Sequence, residues 1–182
     1  MTPMFPIALK LRQRRCLVAG DGSAAASRAQ ALTDAGAEVL LIEPADYSPA
    51  DLDGVWLAVL TDRDPELAAR MAGDCEARQI FFCAVDQPAF GSFAHLAIAR
   101  SGPLFVGVGS SGRAPALARR LRELLQALFD RSRLAAWAEE LGQLRDRTPP
   151  AERSRVLNAA VQKLELEGNL LVPPPSAKDR AP

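Results

Sequence analysis

The stretch CLVAGDGSAAASRAQAL, residues 16–32, decides the fold. Cys16, Leu17, Val18 and Ala19 form an unbroken apolar run, the pattern of a strand buried on both faces. Gly20, Asp21 and Gly22 interrupt it. From Ser23 small helix formers take over, with Ala25, Ala29 and Leu32 recurring at helical spacing. Strand, glycine turn, helix is the context in which G-x-G-x-x-A at positions 20–25 gains meaning as a dinucleotide turn. Gly20 permits the tight turn, Gly22 lets a pyrophosphate approach the backbone, and Ala25 is small enough for helix–strand packing. The free N–H groups of the helix start would receive the phosphates. Glu43 lies about 20 residues further on, where an acid binds the ribose hydroxyls of NAD. No arginine adjoins it, which favours NAD over NADP. The competing reading is an ordinary tight turn between a strand and a helix.

Working outward, residues 35–37 (Ala-Gly-Ala) end the helix, and residues 38–43, 54–62 and 80–85 read as further short apolar strands. Residues 46–53 read as a polar loop, and residues 65–79 as a helix with Leu67, Ala68, Met71 and Ala72 on one face. Residues 94–99 and 104–108 are two more strand candidates. Alternating strands and helices specify an α/β fold, a Rossmann-like parallel sheet with helices on both faces. The character changes near Gly109, where GSSGRAP forms a second glycine-serine loop. A long helix follows from Pro115, with Leu117, Leu121, Leu124, Leu125 and Leu128 at helical intervals, then helices over 134–147 and 151–166. The expected organisation is therefore an NAD-binding domain over 1–108, a smaller helical domain over 109–168, and a Pro-rich disordered tail over 169–182.

Bulk properties exclude some partners. The 182 residues carry 22 basic and 22 acidic side chains, so the basic footprint of a duplex-binding protein is missing and no nucleic acid is expected. The N-terminus lacks the order of a signal peptide and no apolar run approaches a membrane span, so no membrane partner is expected. Cys16, Cys75 and Cys83 are odd in number and form no CxxC pair, which places the chain in a reducing, cytoplasmic setting.

Few side chains are candidates for chemistry. Asp86 closes the fourth strand, at the end of an open sheet where ligands bind, and can serve as a general base or merely cap the Asp-Gln-Pro turn. His95, the single histidine, lies in an apolar run that favours a structural role over metal or base chemistry, and Cys83 reads as core. No His/Cys cluster marks a metal site. Arg100, Arg113, Arg119 and Arg120 surround the second glycine loop, as polyanion ligands or as a solvated face.

Several motifs in order resemble one family. FPIALKL from Phe5, RCLVAGDGSAAASRAQALTDAGAEV, WLAVLTDRDPELA, IFFCAVDQPAFGSF and PLFVGVGSSGRAPALARRLRELL are similar to the precorrin-2 dehydrogenase/sirohydrochlorin ferrochelatase family, which includes the N-terminal module of siroheme synthase. The similarity covers residues 4–129. It implies NAD contacts at Gly22, Ser23 and Ala24, then at Pro44 and Ala45, with Thr61 and Asp62 at a strand end near the cofactor. It assigns to Asp86 the aspartate used in dehydrogenation and chelation; Arg100, Ser111, Gly112 and Arg113, at the second glycine loop, are then expected to receive the tetrapyrrole's carboxylates. It further implies a homodimer, with the segment after the Rossmann half crossing to the partner. The function expected is NAD-dependent dehydrogenation of precorrin-2 to sirohydrochlorin, with ferrous iron as the substrate of a second, chelatase activity. The methyltransferase domain that follows in siroheme synthase is not expected here.

The chain also departs from that family. The segment between Glu43 and Trp56 is short, lacking a helix and a strand, and the usual asparagine before the Val-Asp pair is Cys83. Leu96 stands where a proline is usual, and Ala114 where some members carry a phosphorylated serine. These departures motivate an alternative, a catalytically weakened tetrapyrrole-binding carrier or regulator. A generic Rossmann oxidoreductase with a small substrate is the other.

Overall fold

The computed structural model describes residues 4–167 and 170–171. Four strands, β1 (Arg15–Ala19), β2 (Glu38–Ile42), β3 (Val55–Leu60) and β4 (Phe81–Ala84), form a wholly parallel sheet in the order β2-β1-β3-β4. Helix α1 (Gly22–Asp34) connects β1 to β2, and α2 (Pro65–Ala77) connects β3 to β4. The first crossover moves one way across the sheet and the second moves the other way. Because such crossovers are right-handed, the two helices land on opposite faces.

Strand alternation supplies each helix with its own half of the core. Cys16 and Val18 of β1 join Leu57 and Val59 of β3 beneath Ala25 and Leu32 of α1. Their sequence neighbours Leu17 and Ala19, with Ala58 and Leu60, point the other way, to Leu67, Ala68, Met71 and Cys75 of α2. Thus the sheet is buried on both faces, and Cys16, Leu17, Val18, Ala58 and Val59 have no exposed surface. Full burial of each valine or leucine contributes about 1.5–3 kcal/mol.

Residues 46–53 are more ordered than the loop expected from the sequence. Two short 3-10 turns form, Pro44–Asp46 and Pro49–Leu52, and a capping box at Ser48 holds the second. Tyr47 and Leu52 are buried against the α2 side of the sheet, and the Tyr47 hydroxyl donates to Asp74 Oδ2 at 2.9 Å. Burial, reinforced by that bond, raises the Tyr47 pKa.

The last two strands, β5 (Ala97–Ser101) and β6 (Leu104–Val108), form a separate two-stranded sheet rather than extending the parallel one. The edge of β4 is already occupied: the Phe82 N–H donates to Ser92 Oγ at 2.9 Å, and the Ser92 N–H donates back to the Phe82 carbonyl at 2.8 Å. A two-residue link, Gly102 and Pro103, can only join β5 and β6 as a hairpin.

Helices α3 (Pro115–Asp130), α4 (Leu134–Arg147) and α5 (Arg153–Val161) complete the described chain. The expected helix over 151–166 is shorter at both ends. Leu164 and Leu166, which would have extended it, stay 60% and 76% exposed and so contribute no packing to hold another turn. Two compact units result. One holds the residues up to Ala99 with Val106–Leu124, the other Arg100–Phe105 with the residues from Leu125 on, the division running through the hairpin and α3. In the second unit Gln126 bonds both the N–H and the carbonyl of Arg100, at 2.9 and 3.0 Å, and Gly102 lies against Ala135. Of the tail at 169–182, all but residues 170 and 171 lie outside the described residues.

Candidate dinucleotide and substrate site

The strand order reverses between β1 and β3, so the crevice at their carboxyl ends is where an open α/β sheet binds its ligand. Three backbone bonds tie the four strand ends together there. The Gly20 N–H donates to the Ile42 carbonyl at 3.0 Å, the Thr61 N–H to the Ala19 carbonyl at 2.9 Å, and the Val85 N–H to the Leu60 carbonyl at 2.9 Å. Gly20, Glu43, Thr61 and Asp86 therefore belong to one edge.

The two glycines of the turn do different things. A Cβ on Gly20 would meet Thr61 Oγ1 at 1.8 Å, so this glycine lets the turn press against the end of β3. Gly22 has a left-handed φ of 64°, yet a Cβ there would meet nothing within 4 Å. Open space thus lies beside the first turn of α1. Asp21, at the helix N-cap, makes no side-chain cap, and no acid occupies the first turn. The amide groups around Ser23 and Ala24 are left to an outside acceptor, and the helix dipole favours an anionic one. The residues present thus fit a pyrophosphate. Glu43 is exposed at the end of β2, with Pro44 and Ala45 opening the next turn.

Asp86 has a left-handed φ of 61°, a conformation that aspartate tolerates better than most residues. Its Oδ2 accepts a bond from Arg63 at 2.9 Å, and both side chains are mostly exposed. Gln87 Nε2 donates to the Asp62 carbonyl at 3.0 Å, tying the loop after β4 to the loop after β3. Asp62 in turn accepts the Asp64 N–H at 2.8 Å, and Asp64 caps α2 through Glu66 and Leu67. Sequence reading missed Arg63 and Gln87. The run Asp62-Arg63-Asp64-Pro65 signalled a helix cap, but only the fold reveals that Arg63 faces Asp86.

The predicted substrate arginines Arg113 and Arg100 fall in different compact units. Arg113 follows Ser111 and Gly112, both with left-handed φ, in a turn closed by its N–H on the Ser110 carbonyl. Ser110 Oγ accepts the Ala114 N–H at 3.1 Å. These residues fall in the first compact unit. Arg100 falls in the second, where its guanidinium carbon lies 5.9 Å from the centre of the Phe105 ring.

His95 stacks edge-on against Phe93, ring centres 5.2 Å apart. Desolvation on its protein side, then the Arg28 charge, lower its pKa to about 4, although the residue as a whole is exposed. Cys83 is buried, and desolvation raises its thiol, partly offset by Arg28 and a hydrogen bond from the His95 backbone. Cys75 is likewise buried and pushed up to about 12, and Cys16 is raised by burial, so all three are thiols in the core. Among the described residues no group of three or more His, Cys, Asp or Glu side chains is arranged to hold a metal. No described helix is long and apolar enough to cross a membrane. A concavity of about 590 Å³ opens at the opposite end of the sheet, between Leu52–Trp56 and Arg78–Phe81. It lies at the amino ends of β3 and β4, away from the carboxyl edge where open α/β sheets bind their ligands.

A family model described as NAD(P)-binding matches residues 7–97, half of the chain. The chain belongs to this family. It is 38% identical over 144 residues to the siroheme synthase of Chromobacterium violaceum, covering 69% of this chain and 31% of the relative. Siroheme synthase 2 of Klebsiella pneumoniae is 35% identical over 162 residues, 79% of this chain and 35% of the relative. The siroheme synthase of Shigella boydii serotype 18 is 36% identical over 175 residues, 83% and 38%. The resemblance read from the motifs is to the family of these relatives. The chain spans about a third of their length. A solved structure, SirC, precorrin-2 dehydrogenase, shares the fold with a TM-score of 0.71 at 19% identity, over 88% of this chain and 90% of that one.

Proposed function

We propose that the protein is an NAD-dependent dehydrogenase that converts precorrin-2 to sirohydrochlorin in siroheme biosynthesis. The observation that carries this reading is the sharing of one sheet edge by the uncapped glycine turn and Asp86, in a chain related to siroheme synthases. NAD, when bound, supplies the hydride acceptor. Gly22, Ser23 and Ala24 bind its pyrophosphate through the backbone, Glu43 and the Pro44–Ala45 turn hold its ribose, and Thr61 and Asp62 line the strand end beside it. Asp86 accepts the proton that the macrocycle loses. Ser111, Gly112 and Arg113 take substrate carboxylates.

Ferrous insertion into sirohydrochlorin, with Asp86 taking the pyrrole protons, is a second activity of the same residues. The chain works as a homodimer, for which the exposed seam Leu117, Leu124 and Leu128 of α3 is the support. The test is incubation with enzymatically made precorrin-2 and NAD, followed by absorbance. Appearance of the sirohydrochlorin spectrum together with NADH supports dehydrogenation. Binding of sirohydrochlorin without turnover instead supports the carrier reading, which Cys83, Leu96 and Ala114 motivate.

A further inference from the structure

The ligand edge carries a cation that the reading above leaves unused. Arg63 lies in the loop after β3, and a single nitrogen, Nη2, bonds Asp86 Oδ2 at 2.9 Å. Its side chain is 81% exposed and that of Asp86 63% exposed. The backbone on either side is held firmly, by Gln87 on the Asp62 carbonyl and by the Asp64 cap of α2. Arg63 is thus a mostly exposed guanidinium on a fixed base, at the edge where Asp86 and the glycine turn meet.

We propose that Arg63 is a substrate-binding residue: on binding, its guanidinium leaves Asp86 and takes a carboxylate of the tetrapyrrole, freeing Asp86 to accept a proton. The proposal rests on the tetrapyrrole reading. An exposed ion pair contributes little to stability, so exchanging one carboxylate for another is cheap. The present contact is monodentate, whereas a substrate carboxylate can meet the planar fork with two parallel bonds. The exchange also explains how a base already paired with a cation becomes available only when its substrate arrives. In the absence of substrate the pair keeps the two charges together at an open edge.

Competition between two carboxylates for one arginine has a thermodynamic signature. Removing Asp86 as a competitor must tighten tetrapyrrole binding, and only while Arg63 is present. The experiment is an absorbance titration with sirohydrochlorin, without NAD, of the parent, Arg63→Gln, Asp86→Asn and the double variant. A charged hydrogen bond lost from the complex weakens binding by about tenfold or more, the result expected for Arg63→Gln. Arg63→Lys should recover part of that loss, and calorimetry should find NAD affinity unchanged in Arg63→Gln. Asp86→Asn should bind more tightly than the parent, and the double variant should match Arg63→Gln. If Asp86→Asn tightens binding equally with and without Arg63, simple relief of charge repulsion explains it and the exchange is refuted. Equal affinity of the parent and Arg63→Gln refutes the assignment while leaving the tetrapyrrole reading intact. A parent that binds no sirohydrochlorin removes both.

Discussion

Gly20→Ala and Gly22→Ala place the same methyl group two residues apart, and the structure assigns them opposite consequences. At Gly20 the new Cβ meets Thr61 Oγ1 at 1.8 Å, Thr61 Cβ at 3.1 Å and Ala25 Cβ at 3.3 Å. Rotating Thr61 carries its hydroxyl away but leaves the Cβ contact, so the turn must move off β3. Overpacking of this kind costs about 1–3 kcal/mol. The backbone at φ 155° adds strain of about 1–2 kcal/mol for a residue with a Cβ. Together these amount to about 2–5 kcal/mol, a large share of the roughly 5–15 kcal/mol that holds a domain folded. For a chain of this length each kcal/mol lowers Tm by about 2–4 °C, so Gly20→Ala should melt at least several degrees below the parent. At Gly22 the methyl group enters open space, so only the left-handed φ of 64° costs, about 1 kcal/mol. That methyl stands where a pyrophosphate would approach. Gly22→Ala should therefore fold nearly as well as the parent and bind NAD poorly. Thermal melts and NAD titration calorimetry on both variants, and on Gly20→Ala combined with Thr61→Ala, separate the two effects. The second change should restore part of the lost Tm by removing the clashing hydroxyl. Equal melting of the two single variants, or no recovery in the pair, would refute the account of the turn.

Other expectations concern the remaining site and the surface. NADP should bind more weakly than NAD because Glu43 would repel a 2′-phosphate, and equal affinities by calorimetry would remove Glu43 from the ribose. Asp86→Asn should fold normally and lose about 10²- to 10⁴-fold in dehydrogenation rate, as expected for loss of a general base; parental turnover would make Asp86 a turn residue only. Light scattering should show a dimer at micromolar concentration, and Leu117→Glu with Leu124→Glu should yield a monomer, since both leucines are exposed on α3. A monomeric parent would contradict this. His95 has a folded pKa lowered to about 4, below the ordinary histidine value, so the unfolded chain binds its proton first as the solution is acidified. Its contribution is intact above about pH 6.5 and is lost as the pH falls toward 4. His95→Gln should flatten that part of the stability curve measured by urea denaturation, and an unchanged slope would mean the imidazole is not desolvated.

Local pattern determined the parallel core. Runs such as residues 16–19 can only be strands buried on both faces, and glycines followed by small helix formers can only turn and start a helix, so β1 to β4 and α1 to α3 were legible within a few residues. Glu43, Thr61 and Asp86 were legible as strand-end residues because ligands collect at the carboxyl edge of such sheets. Tertiary structure alone decided what depends on neighbours distant in the chain. Residues 46–53 read as a polar loop, but burial of Tyr47 and Leu52 orders them. The strands after β4 stay out of the sheet because Ser92 occupies its edge, a bond across ten residues that no periodicity encodes. The basic residues of the second loop share a stretch of sequence with Arg100, yet the chain divides between them into separate compact units. Arg63 sits in a helix-capping run with nothing local to set it apart. It meets Asp86 only because β3 and β4 lie side by side and end level, with Leu60 paired to Ala84 in their register.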